Sequence, residues 1–158
     1  MSTQNSSLSN YDSEKVPNGN SLTIGLVVSE WNDKITESLY DGAYNTLTKF
    51  GVATNNIKRI NVPGSFELVF GSKKMIQSKV DVVIAIGCVI KGETEHFDYI
   101  CKSVSKGIID LNISFDTPVV FCVLTDNNMQ QSIDRSGGKY GNKGVEAAIT
   151  ALKLANIN

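Results

Sequence analysis

A chain of 158 residues with 41% hydrophobic and 20% charged residues is long enough to bury one core of ordinary domain size. Its formal net charge of −1 excludes the basic excess of a nucleic-acid-binding face, and no apolar run approaches the roughly 18 residues that cross a bilayer. One histidine and three cysteines, Cys88, Cys101 and Cys122, without CxxC spacing, argue against a zinc or other metal site and for free thiols in a reducing compartment, the cytoplasm.

The stretch 1–20 is polar, rich in Ser and Asn, and lacks an apolar signal core; it reads as a flexible tail ahead of a single domain over 21–158. "SLTIGLVVS" (21–29) is short, apolar and β-branched, the composition of a strand. Ile35, Leu39, Ala43 and Leu47 then recur every four residues, one face of a helix that Gly51 stops. "IKRINV" (57–62) predicts a second strand and "PGSFELVFGSKKMIQS" (63–78) a second helix. "VDVVIAIGCVI" (80–90) is the nearly unbroken apolar run of a strand buried on both faces. A helix carrying His96, Ile100, Val104, Ile108 and Leu111 follows, then a strand over 118–125, a short helix over 127–137 and a last helix over 145–156.

Strands alternate with helices four times, and no Asn-Gly hairpin signal separates them. That order predicts βαβ units: a three-layer αβα sandwich around a four-stranded parallel sheet, of flavodoxin-like type. In such sheets ligands bind beyond the carboxyl ends of the strands. The rule selects Glu30-Trp31-Asn32, "VPGSFE" (62–67), "CVIKGET" (88–94) and the stretch from Phe121 to Thr125.

Each residue there has two readings. Trp31 is a packed strand-end aromatic or a stacking platform for a ligand. The ring of Phe66 reads as packing for the second helix, whereas its N–H, after the Pro63-Gly64 turn, is a donor pointing outward from a helix start. Glu67 is a helix-dipole charge or a ligand acceptor. Thr94 is placed to cap the helix that carries His96, and the same helix start would receive an anion. His96, the lone histidine, is a capping residue or a proton carrier. "DRSGGKYGNKG" (134–144) holds four glycines and three basic residues but lacks Walker spacing, since Gly144 follows Lys143. It is a solvated connection or supplies an anion contact through Arg135. No GxGxxG follows any strand, so the dinucleotide fingerprint is absent as well.

Taken together, "INVPGSFELV", "GCVIKGETEHFDYI", "PVVFCVLT" and "DRSGGKYGNKGVEAA" resemble the 6,7-dimethyl-8-ribityllumazine synthases of riboflavin synthesis. The resemblance covers residues from about 21 to the C-terminus with its four motifs in the same order. It implies a condensation of 5-amino-6-(D-ribitylamino)uracil with 3,4-dihydroxy-2-butanone 4-phosphate: imine formation, loss of phosphate, and ring closure with loss of water, with no metal or redox cofactor. It implies that Trp31 stacks on the pyrimidine and that Ser65, Phe66 and Glu67 bind the uracil and ribityl groups. Cys88, Val89 and Ile90 line the same pocket, Glu93 and Thr94 meet the butanone phosphate, His96 moves protons and Arg135 clamps the phosphate. Phe121, Arg135 and Lys143 come from the neighbouring subunit, so the implied state is a homo-oligomer with shared sites. That means pentamers, packed further into a 60-subunit icosahedral shell, with riboflavin synthase as an implied partner and no nucleic acid or membrane. Two positions depart from the family pattern. Trp31 stands where Phe is usual, and Glu95, where proline is common, adds a negative charge beside the anion site. The segment 137–144 lacks the insertion of members that stop at pentamers.

Overall fold

The computed structural model describes residues 9–157. Four parallel strands form one sheet in the order β2–β1–β3–β4: β1 is Ile24–Ser29, β2 Ile57–Val62, β3 Val82–Ile90 and β4 Val119–Asp126. Between and after them run α1 (Asp33–Lys49), α2 (Leu68–Gln77), α3 (His96–Ser114), α4 (Met129–Arg135) and α5 (Lys143–Leu154). The two-residue period of the strands sorts the core into two halves. Ile24, Leu26 and Val28 of β1 with Ile84, Ile86 and Cys88 of β3 pack beneath α1 and α5. Val27, Val83, Ala85 and Val123 face α2 and α3 on the other side. This is the expected three-layer sandwich. Among the described residues no helix is long and apolar enough to cross a membrane.

The elements differ from the sequence expectation mainly at their ends. The helix expected from residue 63 begins at Leu68, because Pro63 to Ser65 turn and the Ser65 carbonyl accepts the Leu68 N–H at 3.2 Å. The last helix begins two residues early. Asn142 caps it, its Oδ1 accepting from Gly144 N–H at 2.8 Å while its Nδ2 donates to the Ser38 carbonyl at 2.9 Å. The connection between α4 and α5 folds into a small antiparallel pair, β5 (Ser136–Gly138) and β6 (Gly141–Asn142).

Of the stretch 1–20, residues 1–8 lie outside the described residues. From Ser9 on the chain is docked on the body. Ser9 Oγ accepts from Asn142 N–H at 2.9 Å, Tyr11 packs edge-on against Phe50 with centroids 5.9 Å apart, and Val16 is buried. Two apolar side chains in a polar run are enough to anchor it.

One close approach sets the α1–α5 layer. A Cβ at Gly144 would overlap the backbone carbonyl of Leu39 in α1. Backbone cannot swing aside as a side chain can, so Gly144→Ala should force the helices apart and cost about 1–3 kcal/mol, the usual range for overpacking. The check is thermal unfolding followed by circular dichroism at fixed protein concentration. The variant is expected to melt several degrees lower, whereas Thr150→Ala, on the exposed face of α5, should melt close to the parent.

Candidate active site

The carboxyl ends of β1, β2 and β3 open into a cavity of about 750 Å³. Its walls come from three strand exits and one helix. Trp31 and Asn32 follow β1, Gly64 to Glu67 follow β2, Cys88, Val89 and Ile90 end β3, and His96 and Ile100 face in from the first turns of α3.

Trp31 is held by its backbone, not by its ring. Its N–H donates to the Pro63 carbonyl at 3.2 Å, one step past Glu30 N–H on the Val62 carbonyl at 2.9 Å. The indole is 72% exposed, so it is not a packed strand-end aromatic. Asn32 beside it has left-handed backbone (φ 59°, ψ 45°), and its Nδ2 donates to the Cys88 carbonyl at 3.0 Å. Asparagine tolerates this conformation better than most residues, and the bond ties the exits of β1 and β3 together.

The Phe66 ring was expected to pack α2. It is instead 54% exposed and lines the cavity, because α2 starts two residues later and turns its buried face through Leu68, Gly71, Ser72 and Met75. The N–H groups of Ser65, Phe66 and Glu67 make no backbone hydrogen bond among the described residues. This is the state of donors at a helix start. Ser65 is buried, and its hydroxyl has no partner among the described residues.

At the start of α3 the capping position is Glu95, one residue later than expected, and its side chain makes no capping bond. Thr94 Oγ1 accepts instead from the His96 N–H at 3.4 Å. The N–H groups of Thr94, Glu95 and Phe97 take no backbone partner among the described residues. Three free donors and the positive end of a 19-residue helix make an anion-receptive corner beside the imidazole.

Not every residue selected from the sequence lines this cavity. Glu93 and Thr94 stand on the exposed loop before α3, outside the lining of the cavity, and Phe121, Arg135 and Lys143, on other elements, lie outside it too. Phe121 projects from the edge strand β4 and is 37% exposed. Lys143 Nζ lies 2.5 Å from Glu146 Oε1 at the start of α5. Arg135 ends α4, its Nε 3.9 Å from Asp126 Oδ1. Arg135 is thus placed by β4 and by its own helix, with the Tyr140 ring of the following connection beside it.

Burial pushes the Cys88 thiol above its usual pKa range, with the Asp126 carboxylate adding to the rise and a bond to Ser132 opposing it. Burial drives Cys122 up to about 12. Both therefore remain thiols near neutral pH, and Cys88 serves the cavity as wall. Among the described residues no group of three or more His, Cys, Asp or Glu could hold a metal ion.

Sequence reasoning selected the strand exit that holds Asn32 but gave that residue no role, and it passed over Ile100 as a cavity residue along with Ser132 and Asp126. Asn32 and Ile100 carried a signal: an asparagine between a strand exit and a helix, and an apolar residue one turn after His96. Ser132 and Asp126 carried none, since their pairing depends on how α4 folds back on β4.

Residues 21–158 match the family described as 6,7-dimethyl-8-ribityllumazine synthase. Among curated relatives of that name, the protein of Flavobacterium johnsoniae is 61% identical over 99% of this chain and 83% of its own length. That of Christiangramia forsetii is 55% identical over 99% and 95%, and that of Parabacteroides distasonis 52% over 100% and 99%.

Trp31 is the only tryptophan in the chain, so its emission reports on the cavity. A planar aromatic ligand seated there should contact the indole and quench most of the intrinsic fluorescence. Stacking contributes roughly 0.5–1.5 kcal/mol beyond area burial, so Trp31→Ala should weaken binding by several-fold in calorimetry. Saturable binding that leaves the emission unchanged would place the ligand elsewhere.

Proposed function

The chain belongs to the 6,7-dimethyl-8-ribityllumazine synthase family, and we propose that it condenses 5-amino-6-(D-ribitylamino)uracil with 3,4-dihydroxy-2-butanone 4-phosphate in riboflavin biosynthesis. The observation that carries this reading is the convergence of an exposed aromatic platform, free backbone donors, a helix start and the single histidine on one cavity.

In the reaction the primary amine of the pyrimidine adds to the ketone, and loss of water leaves an imine. Removal of the proton next to the imine carbon expels phosphate from the adjacent CH₂ and gives an enol. The enol tautomerises to a second carbonyl, which the ribityl-bearing nitrogen attacks. Loss of a second water closes the ring. One phosphate and two waters leave, and no electrons are transferred to or from the substrates overall.

The protein contributes position and proton transfer. Trp31 stacks on the pyrimidine, whose polar edge meets the N–H groups of Ser65, Phe66 and Glu67. The Glu67 carboxylate accepts from ribityl hydroxyls, and Cys88, Val89 and Ile90 shape the pocket floor. The start of α3, with Glu93 and Thr94 on its loop, receives the phosphate of the second substrate. His96 stands at that corner and carries protons for imine formation and elimination. Phe121, Arg135 and Lys143 come from a neighbouring subunit, Arg135 as phosphate clamp.

A homo-oligomer with shared sites follows, a pentamer that packs into a 60-subunit shell. It works in the cytoplasm, as one domain over 21–158 with an N-terminal extension, and hands its product to riboflavin synthase. Support for assembly comes from large apolar side chains left open on the single chain. Phe70 of α2 is 64% exposed, and Tyr99, Ile109 and Ile113 of α3 are 66%, 55% and 78% exposed. Such a surface marks a contact between proteins.

His96→Ala should lower turnover by about 10²-fold, the low end for general acid–base groups, since amines and ketones also condense unaided. Binding of the pyrimidine should change little. Wild-type turnover in this variant would remove His96 from the mechanism. Co-expression of His96→Ala with Arg135→Ala tests the shared site. In an evenly mixed ring, a half times a half, or about a quarter of sites, has both groups intact. Activity should recover to about that fraction. Verified mixed oligomers that stay as inactive as their parents would mean that each site is built from one chain.

A further inference from the structure

Behind the cavity wall a buried polar chain runs from Cys88 to Arg135 through Ser132 and Asp126, two residues with no part in the steps above. Cys88 Sγ donates to Ser132 Oγ at 3.4 Å, and Ser132 Oγ donates to Asp126 Oδ2 at 2.8 Å. Oδ1 of the same carboxylate faces Arg135 Nε at 3.9 Å. Ser132 is fully buried, and Asp126 is 8% exposed. A carboxylate at that depth is costly unless it is paired and hydrogen-bonded. Arg135 is its one ion-pair partner among the described residues.

The guanidinium is held on other sides too. Nη1 donates to the Gln131 carbonyl at 2.9 Å, and the guanidinium carbon lies 5.1 Å from the centre of the Tyr140 ring. Nη2 makes no hydrogen bond among the described residues and is the edge left for a ligand. The frame is built from two elements. Asp126 is the last residue of β4, opposite Ile90 of β3. Ser132 and Arg135 lie on α4, whose start is capped by Asn128 Oδ1 accepting from Gln131 N–H at 3.0 Å.

We propose that Asp126, braced by Ser132, is a positioning residue that presets the Arg135 guanidinium for phosphate. This rests on the reading of Arg135 as the phosphate clamp. Arginine has a long side chain, and an unbraced one must be ordered when the anion binds, which weakens binding. A second effect opposes the first. The Asp126 charge partly neutralises Arg135 and by Coulomb attraction alone would lower phosphate affinity. Orientation prevails because a guanidinium binds phosphate through directed donors, not as a point charge. The two effects predict opposite signs for removal of the charge.

The test is steady-state kinetics of Asp126→Asn, which keeps the side-chain shape and can still accept from Ser132. We expect the KM for the butanone phosphate to rise about fivefold, equivalent to roughly 1 kcal/mol. The KM for the pyrimidine and kcat should stay within about twofold, and inorganic phosphate should inhibit more weakly by the same factor as the KM change. Ser132→Ala, a small change at a helical position, should shift the same parameters in the same direction by less, and it serves if Asp126→Asn fails to assemble. In an Arg135→Ala background the Asp126→Asn change should add nothing. An unchanged or lowered phosphate KM in the single variants overturns the proposal, and so does an equal rise in the Arg135→Ala background. Should Arg135→Ala itself leave the phosphate KM untouched, the clamp reading fails, and the positioning role falls with it.

Discussion

The site depends on how β1 and β3 are registered. They pair from Ile24 beside Val82 to Val28 beside Ile86, after which β1 has one residue left and β3 runs on to Ile90. That overhang is supported on its other side by β4, with Cys88 beside Leu124 and Ile90 beside Asp126. It leaves Cys88, Val89 and Ile90 standing past β1 as a wall, across which Asn32 reaches back to the Cys88 carbonyl. A slip of one residue would exchange the two faces of strands buried on both. Gly87, at the foot of the overhang, lets α2 begin directly above it. A Cβ there would lie 2.7 Å from Ser65 Oγ and 2.8 Å from Leu68 Cδ1. The floor of the cavity and the helix start beside it are thus one packing arrangement.

On that frame the single chain carries an excess of uncovered apolar surface. Trp31 and Phe66 at the cavity, and Tyr99, Ile109 and Ile113 along α3, are each more than half exposed. At roughly 25 cal/mol per Å², surface of this kind yields a large gain once covered and is a solubility risk while it is not. The distribution is informative. The cavity aromatics stand beside free backbone donors, as suits a ligand with an apolar face and a polar edge. The exposed α3 side chains stand away from those donors and among the charges of Lys102, Lys106 and Asp110, a mixture of apolar and charged groups that suits contact with another protein.

The layered fold was legible because the strands announce their burial. The nearly unbroken run 80–90 is of the kind buried on both faces of a sheet, and the four-residue spacing from Ile35 to Leu47 is that of a helix packed on one side. The meeting of Trp31, Glu67 and His96 at one cavity was legible because strand exits of a parallel sheet share an edge. Other features depended on long-range geometry that local pattern does not encode. The exposed Phe66 ring follows from where α2 starts. That start is set by a turn at Pro63 and by Gly87, which is distant in sequence. The docking of residues 11–16 follows from Phe50 being free to receive Tyr11. The Cys88–Ser132–Asp126–Arg135 chain joins β3, α4 and β4, and no spacing in the sequence announces it.

On the proposed reading, the charge pattern at the start of α3 bears on why the orientation of one arginine would matter. Glu95 occupies the start of α3, where the helix dipole favours a carboxylate by typically 0.3–1 kcal/mol. The same field is what would attract a phosphate, and two anions at one helix start repel each other. On the proposed reading, free N–H donors would supply directed hydrogen bonds there, with the exposed Glu95 charge standing beside the phosphate. A cation from outside the corner would offset that repulsion. Hydrogen bonds to charged groups are worth about 1.5–3 kcal/mol each, more than the dipole contribution. On the proposed reading, phosphate affinity in this chain therefore rests less on the helix start than on Arg135. A family member with proline at the position of Glu95 would keep the full dipole attraction and could tolerate a looser arginine. On the same reading this chain would have less latitude, and the buried Asp126 carboxylate beside the guanidinium would offset the charge of its own Glu95.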